Sequence, residues 1–177
     1  MSQRALELAY RYLNRRARTV SEVRRHLIAH EVEGGSAEAA IQELSAQGYL
    51  DDDRFAWLFT QDKRHLEQWG SERIRQALMA RGIDPELAAA ATSVEAHRAD
   101  PAHADLTDPN PAADPAAAFL DPGSGELERA LALLRRRFPD PPRDRRERER
   151  GLGLLLRKGY ELELARDAVA AYARADG

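Results

Sequence analysis

Apolar positions recur along this chain at helical spacing. Leu6, Tyr10, Leu13 and Ala17 follow one another in the stripe of an amphipathic helix over residues 3–17. Val23 and Leu27 predict a second helix, with Thr19 and Ser21 as candidate caps. Ala40, Ile41 and Leu44 predict a third, capped by Ser36 after the break at Glu33-Gly34-Gly35. The stretch Gly48-Tyr49-Leu50-Asp51-Asp52-Asp53 then closes one helix and opens the next. Gly48 suits the left-handed closing position, and Tyr49 is placed to fold back onto Leu44. Asp51 is the expected N-cap, Asp52 and Asp53 complement the helix dipole, and Leu50 with Phe55 has the spacing of a hydrophobic staple.

The pattern then starts again. Phe55, Leu58, Phe59 and Leu66 give a helical stripe ending near Trp69-Gly70. Ser71 is the expected cap of a helix carrying Ile74 and Leu78 and closed by Gly82-Ile83, and Asp84-Pro85 opens an alanine-rich helix through Ala91. A third round runs through Leu127, Leu131, Leu134 and Phe138, stopped by Pro139 to Pro142. A helix from Arg143 to Lys158 then ends in Gly159-Tyr160, and Leu162, Ala165, Val169 and Tyr172 mark the last one.

One closing device recurs. Leu44, Gly48 and Tyr49 share the spacing of Leu78, Gly82 and Ile83 and of Leu155, Gly159 and Tyr160. A second register pairs Val23, Leu27 and Val32 with Ile74, Leu78 and Ile83, and puts Glu31 where Gly82 and Gly159 stand. The expected fold is all-α, three tandem three-helix repeats over residues 1–50, 51–91 and 125–177. In that register Gly151 takes the place of Ile74, and Gly153 follows it. Each glycine is expected to weaken its helix by about 1 kcal/mol.

Composition separates out residues 92–124. Five of the nine prolines lie there, with six acidic groups and a single arginine, and almost no large apolar side chain. Such a stretch buries too little to offset chain entropy, so a flexible, disordered acidic linker is expected. Around it, residues 1–91 carry a net charge of −1 and residues 125–177 a net charge of +3. The absence of cysteine excludes disulfides, thiolate metal sites and thiol catalysis. No apolar run has membrane-spanning length, and the opening residues lack a signal-peptide core, so a cytoplasmic protein without membrane contact is expected.

Catalytic chemistry finds little support. His26 and His30 have a chelating spacing but no companion ligand, and read as exposed histidines; no metal is expected. Asp51, Asp52 and Asp53 are explained by the helix start, and Gly151-Leu152-Gly153 lacks the strand and lysine of a phosphate loop, so no cofactor is expected. Arginine supplies all the basic residues except Lys63 and Lys158. That bias suits planar recognition of carboxylate or phosphate, and a GC-rich coding sequence accounts for it equally. The candidate partner-binding residues are Arg11, Arg15, Arg18, Arg24 and Arg25; Trp57, Arg64, Arg73, Arg75 and Arg81; and Arg136, Arg137, Arg145, Arg148, Arg157 and Lys158. Trp57 falls with Gln61, Arg64 and Gln68 on the polar side of its helix, either as a binding anchor or buried against a neighbouring unit.

Two stretches resemble the RecX family of RecA regulators. They are Gly48-Tyr49-Leu50-Asp51-Asp52 with Arg54-Phe55-Ala56, and Gly70-x-x-Arg73-Ile74-x-x-x-Leu78-x-x-Arg81-Gly82-Ile83. Arg157-Lys158-Gly159-Tyr160 resembles a third. The resemblance implies an elongated, curved repeat protein, expected as a monomer and not an enzyme. It implies binding along the groove of a RecA filament on single-stranded DNA and restraint of its ATPase, strand-exchange and SOS-inducing activities. The alternative is direct DNA binding through Arg-rich faces by helix-turn-helix-like units.

Overall fold

The computed structural model describes residues 3–93 and 125–174. Most of the acidic stretch at 92–124 therefore lies outside the described residues, and its expected flexibility with it; Thr92 itself ends a helix. Among the described residues there are nine α-helices and no strand. They are α1 (Gln3–Leu13), α2 (Val20–Ala29), α3 (Gly34–Ala46), α4 (Asp52–His65), α5 (Ser71–Ala80), α6 (Pro85–Thr92), α7 (Glu126–Arg137), α8 (Arg145–Lys158) and α9 (Leu162–Arg174). Two compact units result. Unit 1 takes residues up to 59 together with 77–91, and unit 2 takes 60–76 together with the chain from 92 onward.

In unit 1, α1 to α3 close over Ala5, Ala9, Val23, Leu27, Ile41 and Leu44. Leu6, Tyr10 and Leu13 flank this core partly buried, and Ala17 lies beyond the helix and is exposed. The buried face of α1 is thus the small-residue pair Ala5 and Ala9, one position off the stripe marked by the large side chains. Two alanines let the neighbouring backbones come close, and the larger residues wrap the edges.

Helix closures follow the sequence pattern. Gly48 and Gly82 have φ of +75° and +87°. The amides of Tyr49 and Ile83 donate to the Leu44 and Leu78 carbonyls at 2.9 and 3.2 Å. Glu31 takes the same left-handed position at φ 59°, with the Val32 amide on the Leu27 carbonyl at 3.1 Å. Tyr49 differs in one respect. Its side chain is exposed and meets Tyr10 edge-on at 5.2 Å, while Leu50 is the residue that goes into the core.

The caps mix agreement and correction. Thr19 makes the expected cap in full, a capping box with Glu22. The Thr19 hydroxyl also donates to the Arg81 carbonyl at 2.8 Å, tying α2 to the end of α5. Asp51 accepts from the Arg54 amide at 2.9 Å as N-cap. Asp52 does more than complement a dipole, since it accepts from the Val20 amide at 2.9 Å. By contrast Ser36 lies inside α3, which starts at Gly34 without a side-chain cap, and Ser71 is the first helical residue of α5 rather than its cap.

In unit 2, α7, α8 and α9 enclose Ala130, Leu133, Leu134, Leu155, Ala165, Val169 and Tyr172. Leu127 and Leu162 are exposed, while the later expected positions Leu134, Ala165, Val169 and Tyr172 are buried, joined by Ala130, Leu133 and Ala168. Helix α8 runs unbroken through Gly151 and Gly153. Gly151 is buried, with space for a methyl group only at van der Waals distance from Leu134 and Val169, 3.4 and 3.5 Å. The start of α5 lies directly on the end of α8. Gly70 donates its amide to the Lys158 carbonyl at 2.8 Å, and a Cβ on Gly70 would overlap the Gly159 and Tyr160 backbones.

Candidate functional site

The arginines divide by what they already hold. On α4 the buried positions are Ala56, Thr60 and Arg64, while Leu58, and Leu66 just past the helix end, are exposed. Arg64 is therefore an internal residue, not the surface contact its sequence position suggested. It donates to the Thr92 carbonyl at 2.7 Å and lies 3.4 Å from the Ser71 hydroxyl. Burial, then the nearby Arg129 guanidinium, lowers its pKa to about 10. Arg129 is also buried, and Tyr160 beside this pair is raised to about 12 by burial. Glu126 supplies the opposite charge here and accepts from the Ser71 amide at 2.7 Å.

Several others are held by local partners. Arg24 makes a two-pronged pair with Glu38 at 2.5 and 3.0 Å, which draws the Glu38 pKa down. Arg75 pairs with Glu72. Arg81 pairs with Glu22 at 3.2 Å and lies over Phe55 and Phe59. Arg18 lies over the Tyr12 ring at 4.0 Å, and His26 stacks parallel to that ring, also at 4.0 Å. His30 holds the carbonyl of His26 at 2.8 Å, so the histidine pair is engaged in local packing. Among the described residues no cluster of three His, Asp or Glu is placed to hold a metal ion, and no helix is long and apolar enough to cross a membrane.

Arg11, Arg15 and Arg25 remain exposed on unit 1, and Arg73, Arg136, Arg137, Arg145, Arg148 and Arg157 on unit 2. Arg145 bonds Glu149 at 2.8 Å yet keeps most of its surface in solvent. Arg137 joins Arg143 and Arg150 at the rim of a cleft of about 300 Å³ floored by Leu134, Val169 and Tyr172. Lys158 spends its ammonium on the Glu67 carbonyl at 2.7 Å, and Arg136 reaches Gln68 at 2.5 Å. Trp57 is half-buried on α4.

Trp69 carries a feature that its position as a helix end concealed. Its ring has the Arg73 guanidinium 4.1 Å from its centre and the Lys63 ammonium at 4.9 Å. Arg73 also donates to the Arg157 carbonyl at 3.0 Å. The ring, two cations and the end of α8 form one fixed patch, each cation–π contact contributing about 0.5–1 kcal/mol. A Trp next to Gly70 at a helix end was the signal available in the sequence. Chemically, such exposed guanidinium faces bind carboxylate or phosphate oxygens through paired hydrogen bonds.

Two histidines set an acid limit on stability. Burial, chiefly, lowers both His26 and His65 below the ordinary histidine value of 6.5. The unfolded chain then binds more protons than the folded one as pH falls through 6.5. Stability from these groups is complete above that value and is lost below it. A thermal melt at about pH 5.5 is expected to give a lower Tm than one at about pH 7.5, and His65→Gln should shrink the difference.

Comparison with known proteins bears on the same segments. A family model described as RecX, first three-helix domain, matches residues 5–44, and one described as RecX, second three-helix domain, matches residues 51–91. A protein named regulatory protein RecX from Lactobacillus delbrueckii subsp. bulgaricus is 39% identical over 90 residues, covering 51% of this chain and 33% of that protein. The match thus spans about a third of that relative's length. One of the same name from Herbaspirillum seropedicae is 31% identical over 160 residues, covering 90% of this chain and 85% of the relative. The crystal structure of RecX from Lactobacillus salivarius superposes with a TM-score of 0.70 at 17% identity, over 96% of this chain and 94% of that one.

Proposed function

The chain belongs to the RecX family, and from that premise we propose that it binds the RecA filament on single-stranded DNA and restrains its ATPase, recombinase and SOS co-protease activities. It acts as a non-enzymatic, cytoplasmic monomer that occupies the filament groove. The observation that carries this reading is the set of arginines left exposed on unit 2, Arg137, Arg145, Arg148 and Arg157. Guanidinium forks presented to solvent fit the carboxylates and phosphates of a nucleoprotein groove. Inhibition then follows from differential affinity: a ligand that prefers one filament state draws the population into it.

Direct binding to naked DNA is the second reading, favoured by the run of exposed arginines from Arg143 to Arg150. It requires affinity that falls steeply with salt and needs no RecA.

An ATPase titration separates function from mere resemblance. Micromolar chain is expected to lower the single-stranded-DNA-dependent ATPase of RecA, and Arg145→Glu with Arg148→Glu should raise the half-inhibitory concentration by about tenfold. An unchanged ATPase rate at that concentration contradicts the proposal.

A further inference from the structure

We propose that the groove between α8 and α9 is a docking site for an acidic amphipathic helix of a partner protein. On α8, Arg145, Arg148 and Leu152 recur at helical spacing, and on α9 so do Arg166, Ala170 and Ala173. Each helix therefore contributes one stripe to the same open groove of about 450 Å³, with Arg174 at its end. Arg166 and Arg174 were absent from the candidates drawn from sequence, because only the facing of the two helices joins them to the α8 arginines.

Charge and shape together select the occupant. Four arginines face one carboxylate, Glu149, which is already engaged by Arg145 at 2.8 Å. The groove thus keeps an excess of positive charge. Between the arginines its lining is apolar, formed by Leu152, the buried Val169, Ala170 and Ala173. Small side chains there let another helix approach closely. From Arg166 to Arg174 the groove runs about 12 Å, two helical turns, which matches an anchor pattern of i, i+3 or i+4, and i+7. None of the lining side chains is aromatic, so a nucleic acid would find cations but no ring on which to stack a base. A helix with an apolar stripe flanked by Asp and Glu satisfies both floor and rim. The groove shares Arg145 and Arg148 with the filament proposal, but peptide binding is read without RecA, DNA or ATP, so the two readings fail separately.

The test uses the full chain and a fluorescein-labelled peptide of about 18 residues, built of Ala, Leu and Glu with Leu at helical spacing, beside its Lys-for-Glu counterpart and an oligo-dT. The acidic peptide is expected to bind with micromolar Kd and the basic one not at all. Arg148→Glu with Arg166→Glu, and separately Ala170→Glu, should weaken binding by about tenfold or more. Arg16→Glu, exposed on unit 1 and away from the groove, should leave it unchanged. Amide shifts on titration should fall on α8 and α9. Three results overturn the proposal: no peptide binding at about 100 μM, peptide binding indifferent to the groove substitutions, or oligo-dT binding that is tighter than peptide binding and lost in the same variants.

Discussion

Gly70→Ala is expected to destabilise unit 2 by about 3 kcal/mol or more, since overpacking and backbone rearrangement at a buried contact add together. The added methyl would overlap backbone atoms of Gly159 and Tyr160, which cannot swing aside as a side-chain tip does. Relief requires the start of α5 and the end of α8 to part, and that breaks the hydrogen bond from Gly70 to Lys158 at 2.8 Å. Gly159→Ala should behave alike, because its φ of +86° strains any L side chain and its Cβ would strike Arg73. Gly153→Ala serves as the contrast. It lies in the interior of α8, where the nearest atom is the flexible tip of Arg157 at 3.3 Å, so it should gain about 0.5–1 kcal/mol from helix propensity alone. Urea unfolding gives the three values, and hydrogen exchange at the first turn of α5 shows whether the loss is local to the contact.

Arg64→Ala should cost about 2–4 kcal/mol, through a cavity and the loss of the hydrogen bond to the Thr92 carbonyl. Arg64→Met should cost less, because it keeps the apolar stem and removes one of two neighbouring buried positive charges. Below their melting temperatures both variants should inhibit the RecA ATPase as the unsubstituted chain does, since Arg64 presents almost no surface to a partner. A selective loss of inhibition without loss of stability would place Arg64 in the interface instead.

Those two residues mark what the sequence could and could not convey. Helix closure is a local event, so the spacing of Leu27, Glu31 and Val32 put Glu31 in the register of Gly82 and Gly159, and the structure gives it a left-handed φ of 59°. The face that a helix buries was harder to read. Large side chains attract the eye, yet α1 buries Ala5 and Ala9, and α4 buries Ala56, Thr60 and Arg64. Where helices pack closely the small residue faces inward and the large one covers the seam. Contacts between distant segments, such as Gly70 with Gly159 or Asp52 with Val20, leave no periodic trace. The arginine clusters were visible as composition, but their division into Arg24, Arg75 and Arg81 with local partners and Arg137, Arg148 and Arg157 facing solvent required the packed helices.

Acting as proposed, this chain prefers a RecA nucleoprotein filament to DNA itself. Fluorescence anisotropy of the labelled chain decides it, by titration with filament assembled on single-stranded DNA with a slowly hydrolysed ATP analogue, beside the same DNA alone. At about 150 mM salt the expected result is saturable micromolar or tighter binding to the filament and binding at least about tenfold weaker to bare DNA. Equal affinity for both, or no binding to the filament, would contradict it.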